Sequence, residues 1–410
     1  MIWKNILLQK NKKAPMFLKT CGTKIVDQKG KAIQLRGFNV GGWLMMEAYI
    51  LGAPNYAEHK FKNEFVKKLG SEALAEFEKA FRSTFIGEED FKNIKRMGFN
   101  CIRVPFNYRI LEPQIKGSET GAIKYLDQAV DWAEKYGLWV ILDLHAAPGS
   151  QNHDWHADSD GKAGLWTSPA HQKHVCKIWE FLADRYKDRP GVAGYDLLNE
   201  TVMDDTKLLN KFYKDVIKVI RCVDRNHILF IEGNKWSTDI TFMDDYEDDN
   251  YAISIHSYEP LKFTFNLEPL LKYPLKTKEY QCNRSTLKKH LEQYAKISNQ
   301  RQRPIYNGEF GVNARQGLYG EDIWLKDMIE LMAQFDFHWT YWTYKAVKSS
   351  IFPDGLYSYV PNPPWVNRIG PRFGWDTFAD LWAKRKQEMV QSWKTENFTL
   401  NKEILKVLRG

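Results

Sequence analysis

Apolar and polar residues change their spacing repeatedly along the chain. Short runs rich in β-branched and aromatic residues alternate with longer stretches in which apolar residues recur every three or four positions. Eight runs have the first character: "AIQLRGFN", "FNCIRVPF", "LWVILDLH", "VAGYDLLNE", "HILFIEG", "YAISIHSY", "PIYNGEFG" and "FHWTYWTYK". Segments such as "GEEDFKNIKRMG", "YLDQAVDWAEKYG" and "LLNKFYKDVIKVIRCVD" lie between them and have the second. Strands that are nearly all apolar are covered on both faces, and intervening helices supply parallel crossovers. Eight such units predict an α/β fold, a closed (β/α)8 TIM barrel. An open doubly wound sheet would carry a Gly-rich phosphate loop after its first strand, and none is there. Upstream, "FLKTCGTKIVDQKGKAIQLRG" predicts a short N-terminal β-hairpin turning at "DQKG".

Composition narrows the picture a little. With 410 residues, 43% hydrophobic and 14% aromatic, the chain has ample core for a large barrel with insertions. The net charge of +8 invites a nucleic-acid partner, but the Lys and Arg residues are scattered on polar stretches such as "KNEFVKKLG". No nucleic-acid partner is expected. The start, "MIWKNILLQKNKKAP", has no apolar core of signal-peptide length, and no stretch approaches a membrane span. The five cysteines (Cys21, Cys101, Cys176, Cys222, Cys282) are far apart and form no CxxC pair. A soluble, cytoplasmic protein without a membrane partner is expected, or a secreted one if an export signal has been removed.

Candidate chemistry sits where strands end. Arg103 lies late in the second run, His145 ends the third, and Asn199 with Glu200 ends the fourth. His256 and Tyr258 close the sixth run, Glu309 lies near the end of the seventh, and Trp342 falls in the eighth. Barrel enzymes assemble their sites at the C-terminal strand ends, so these side chains are expected to meet at one mouth. A purely structural reading must explain charged or imidazole groups at the ends of five buried strands, and burying such groups is costly.

These motifs resemble glycoside hydrolase family 5: Arg in "IRVPF", His in "LDLHAAPG", Asn-Glu in "LLNE", His-x-Tyr in "HSY", Glu in "NGEFG" and Trp in "YWTYK", in order from about Leu35 to Lys345. "GFNVGGWLMMEAYI" and "LHAAPGSQN" are similar to the exo-β-1,3-glucanase branch, whereas "HSYEPLKFTF" and Phe310 after the Glu look more like cellulases. The resemblance implies a single catalytic domain over 1–410, with the hairpin before the barrel and a helical extension after it. It implies a retaining β-glycosidase acting on a carbohydrate substrate, with Glu309 as nucleophile, Glu200 as acid/base and no cofactor or metal. Arg103 and Tyr258 are then placed to keep Glu309 ionised, and Glu200 is expected to hold a proton near neutral pH beside it. Asn199 suits the sugar 2-hydroxyl, and His145 and His256 are expected to position the sugar and Glu200. Trp342 would stack on a pyranose, and Glu47 and Tyr49 would contact a terminal sugar.

Three long connections at the C-terminal face complete the expectation: Ala146 to Trp166, Glu259 to Asn283 and Val347 to Gly370. Loops of this length are usually functional. The first contains His153, Asp154, His156, Asp158 and Asp160, but no Glu follows "DSDG" at calcium-loop spacing, so it is expected to wall the cleft, with Trp155 or Trp166 as sugar contacts. Long aromatic loops favour a narrowed cleft cutting close to a chain end; the alternative is an endo-β-1,4-glucanase, and a non-catalytic carbohydrate-binding barrel is a third, distinct class.

Overall fold

The computed structural model describes residues 16–53, 55–115, 121–276, 281–359 and 375–410. All eight runs form strands: Arg36–Asn39, Cys101–Asn107, Trp139–Ala146, Val192–Asp196, Ile228–Glu232, Tyr251–His256, Ile305–Phe310 and His338–Tyr341. Each pairs in parallel with the next, and the eighth closes on the first through Trp339 opposite Arg36 and Tyr341 opposite Phe38. Helices of 14 to 18 residues, among them Ile123–Tyr136, Pro169–Tyr186, Thr206–Val223 and Arg284–Arg301, form the outer layer. Their ends are written in the sequence. Ser168 caps the backbone N–H of His171 with Pro169 in the first turn, Asp205 caps Lys207 and Leu208, and left-handed Gly137 ends Ile123–Tyr136. Among the described residues no helix is long and apolar enough to cross a membrane.

Period-two alternation divides every strand between two environments. Ile102, Val104, Val140, Leu142, Leu229 and Ile231 face the helices and belong to the large outer core. Cys101, Ile141, Ile228, Phe230, Ala252 and Tyr306 point into the lumen and form a second, smaller core. One step further along the same inward rows stand Arg103, Asp143, Glu232 and Ser254, and above them His145 and His256, all buried. The lumen is apolar below and charged above. Close packing at this level needs glycine: a Cβ on Gly194 would lie 2.0 Å from the carbonyl oxygen of Ile228.

The N-terminal hairpin plugs the apolar end. Leu18 and Ile25 are buried in the lumen cluster. Its strands, Leu18–Cys21 and Lys24–Asp27, turn at Gly22–Thr23, earlier than the expected "DQKG". "DQKG" is a second turn, closed by Gly30 N–H donating to the Asp27 carbonyl and by a bridge between Val26 and Ala32. The sequence holds two turn signals, and the hairpin uses the first. Past the barrel, helices Trp375–Ser392 and Lys402–Arg409 pack on its side; residues 360–370 of the last expected loop lie outside the described residues.

Candidate active site

Two departures from regular strand geometry aim the carboxylates. The fourth strand ends at Asp196, not at Glu200 as the apolar run suggests. Leu197 and Asn199 still donate N–H bonds to Phe230 and Leu144, but the chain then turns into the left-handed region at Glu200, with φ of +47°. That conformation is costly for a residue with a Cβ and persists only where its surroundings impose it. Here they do: the Glu200 N–H donates to Glu232 Oε2 at 2.7 Å, and its carbonyl accepts from Asn152 Nδ2 at 2.8 Å. In the seventh strand, the register shifts between Asn307 and Glu309. Simple alternation after Tyr306 would point Gly308 inward; the bulge brings Glu309 to the mouth instead.

Arg103 organises the floor. Its guanidinium, wholly buried, donates to Glu309 Oε1 (2.8 Å), Asn39 Oδ1 (3.1 Å), Asn199 Oδ1 (2.9 Å), Glu232 Oε1 (2.9 Å) and Asp196 Oδ2 (2.9 Å), with Asp143 Oδ2 at 3.1 Å. One cation cannot balance four buried carboxylates. Burial, then neighbouring Glu232, push the Asp196 carboxyl well above the usual carboxylate range, against the pull of Arg103. Glu232 goes the other way: against burial, the charge of His256, whose Nε2 lies 3.5 Å away, and then that of Arg103 bring it down to about 2.

Glu309 also accepts from the Tyr258 hydroxyl at 2.8 Å. Burial nevertheless raises its carboxyl above the ordinary range, with His256 and Arg103 opposing. Glu200 lies between two imidazoles, His256 Nδ1 at 2.7 Å from Oε1 and His156 Nε2 at 3.0 Å from Oε2. Against burial, these two hold Glu200 well below the ordinary range. The expectation of a protonated Glu200 beside Glu309 is therefore corrected for the free protein: the two imidazoles outweigh burial. One oxygen of Glu200, one of Glu309 and a nitrogen of His256 lie within 4.8 Å of one another.

His145 differs from expectation too. It does not reach Glu200; Nδ1 lies 2.7 Å from Asp143 and Nε2 3.1 Å from Glu47. Although burial opposes it, Asp143 and Glu47 push its imidazole up to about 10. Its ring stacks on Trp342 at 5.5 Å and 5°, and Trp342 Nε1 donates to the Tyr49 hydroxyl. Glu47 is buried, so it is no ordinary surface carboxylate.

Above this floor opens a cavity of about 530 Å³, lined by Glu47, Tyr49, His145, Asn199, Glu200, His256, Tyr258, Glu309 and Trp342, which brings nine of the ten expected residues to one surface; Arg103 lies beneath. Trp155 also lines it, whereas Trp166 is buried, donating to the Gln151 carbonyl at 2.8 Å and packing on Phe212. The polar loop does not converge on one point: Asp158 and Asp160 pair with His59, Asp154 accepts from Trp236, and His156 reaches Glu200. A second close carboxylate group, Asp143, Asp196 and Glu232, is filled by the Arg103 guanidinium. Asn39, Asp143, Asp196, Glu232 and His156 were not among the expected site residues. Glu232 ends its strand as visibly as Glu309 does; His156 arrives on a loop and carries no periodic signal.

A family model described as cellulase, glycosyl hydrolase family 5, matches residues 61–348. The beta-xylosidase of Phanerodontia chrysosporium is 32% identical over 398 residues, covering 93% of this chain and 79% of the relative. Endoglucanase C of Acetivibrio thermocellus is 29% identical over 309 residues, 67% of this chain and 89% of the relative. The crystal structure of endoglucanase Cel5A from Thermotoga maritima superposes with a TM-score of 0.60 at 21% identity, covering 91% of this chain and 96% of that one. A family match over most of the barrel, on a chain whose motifs already pointed there, settles the assignment: the protein belongs to glycosyl hydrolase family 5.

Proposed function

We propose that the protein hydrolyses β-glucosidic bonds with retention of configuration, Glu309 attacking the anomeric carbon and Glu200 serving as acid and then base. The observation that carries this is that one oxygen of Glu200 and one of Glu309 lie within 4.8 Å of each other at the mouth. Retaining glycosidases hold their carboxyls about 5 Å apart, whereas inverting enzymes leave room for a water, about 6.5–9.5 Å. Tyr258 and Arg103 occupy both Glu309 oxygens and orient them. Asn199 Nδ2 is buried without a partner, a free donor suited to the sugar 2-hydroxyl. Proton NMR of the first product tests the proposal: a β-substrate should give the β-anomer, and an initial α-anomer would overturn it.

For the mode of cutting, the cellulase family description and Endoglucanase C favour internal cleavage of a β-1,4-glucan, the alternative in the sequence reading. One feature favours the chain-end reading. Rings from the loops after the first, third, sixth and eighth strands meet over the cavity: Phe352 lies 4.9 Å from Tyr49, 6.2 Å from Trp155 and 5.3 Å from Phe265. The beta-xylosidase relative, covering 93% of this chain, supports it too. Viscosity followed against reducing sugar on a soluble β-1,4-glucan separates them. A rapid viscosity drop at low sugar yield marks internal cutting; reducing sugar released without that drop marks chain-end attack.

A further inference from the structure

His156 Nε2 faces two partners of opposite polarity. Glu200 Oε2, an acceptor, lies at 3.0 Å and Asn152 Nδ2, a donor, at 3.2 Å. The Asn152 amide is fixed in orientation, because its Oδ1 accepts from the Asp154 N–H and its Nδ2 donates to the Glu200 carbonyl. Protonated, Nε2 donates to Glu200. Unprotonated, the same nitrogen accepts the second Asn152 amide proton. In both charge states Nε2 of His156 therefore has a hydrogen-bond partner without movement, which suits a proton-transfer station. His256, on the other Glu200 oxygen, is more deeply set and lies 3.5 Å from Glu232. His156 lines the cavity beside Glu200.

We propose that His156 holds the proton that Glu200 delivers to the leaving group, making the acid a carboxylate–imidazole pair. The proposal rests on Glu200 being the acid/base. As the glycosidic oxygen approaches, the proton passes from His156 Nε2 to Glu200 and on to that oxygen. The anomeric C–O bond breaks while a Glu309 oxygen bonds to the anomeric carbon, leaving His156 neutral against Asn152. In the second step Glu200 takes a proton from water, the water oxygen bonds to the anomeric carbon, and the Glu309 ester bond breaks. The proton on Glu200 then returns to His156. The surrounding charges suit this role: burial pushes the His156 imidazole down, but the hydrogen bond and charge of Glu200, then Glu47, raise it above its usual value, with nearby His145 opposing.

His156→Ala and His156→Gln test it, since glutamine can donate a hydrogen bond but cannot carry the proton. Both should lose about 10- to 100-fold in kcat/KM on a β-1,4-linked oligosaccharide. The loss on the dinitrophenyl glycoside of the same sugar, whose leaving group needs little protonation, should be at least about 10-fold smaller. The alkaline limb of the oligosaccharide pH profile should also move. Wild-type oligosaccharide turnover in His156→Gln would reduce His156 to an orienting residue and overturn the proposal, as would equal losses on both substrates. Glu200→Gln run in parallel keeps the two readings apart: if it lacks this leaving-group dependence, Glu200 is not the acid, whatever His156 does.

Discussion

Glu232 shows how much can depend on a side chain that never meets the cavity. Its two oxygens take the Arg103 guanidinium, the Glu200 backbone N–H and the Ser237 hydroxyl, so it joins the floor of the site to the strained residue above. Glu232→Gln should lower kcat on the order of 100-fold by misplacing Glu200. It should also cost about 1–3 kcal/mol of stability through unsatisfied buried donors, read in a denaturant titration. The reacting carboxylates separate by chemistry. Glu309→Ala should be nearly inactive on every substrate, while Glu200→Ala should retain activity on activated aryl glycosides and respond to azide, which replaces its deglycosylation role. The acid limb of kcat/KM follows Glu309, which must be ionised to attack. Burial raises that group, so activity should fall as pH drops at a point above the ordinary glutamate value of about 4.3. A limb below that value would contradict the assignment.

At the level of elements, the eight barrel strands were legible because strands buried on both faces leave unbroken apolar runs. Helix caps such as Ser168–Pro169 were equally visible. What escaped was local departure from period two. The left-handed turn at Glu200 and the bulge before Glu309 re-aim side chains without changing residue types, and the fold of the loop after the third strand brings His156 to Glu200 across 44 positions of sequence. Asp143 and Asp196 lie mid-run, where a charge reads as an interruption; only the lumen shows that Arg103 pairs with both. The hairpin makes a separate prediction. Ile25 is wholly buried in the lumen cluster, far from the chemistry, so Ile25→Ala should cost about 2–5 kcal/mol with kcat of the folded enzyme unchanged. Thermal melting together with turnover checks both halves.

Across the whole molecule, Lys345 ties the barrel to the C-terminal segment. Its buried ammonium donates to the carbonyls of Phe85 and Trp393 and to Thr395 Oγ1. Burial brings it down to about 8, only partly opposed by Asp90. A folded value below the unfolded value of about 10.4 means stability gained as pH rises from 8 to 10.4. His145, raised to about 10, has the opposite sign: its contribution is complete below about 6.5 and lost as pH climbs through 10. The two oppose each other between pH 8 and 10. In Lys345→Met only the falling contribution of these two remains, so the melting temperature should drop more steeply over that interval than in the wild type. Closure of the ring has a consequence for how the chain is made. The edge formed by Arg36–Asn39 is synthesised early, yet one of its two neighbours, His338–Tyr341, follows some 300 residues later. At a usual elongation rate of about 5–20 residues per second, that edge waits on the order of 15 to 60 seconds for its mate. Throughout that wait, Leu18 and Ile25 have no completed lumen to fill, so the nascent chain carries both an open strand edge and an undocked plug until its last fifth emerges.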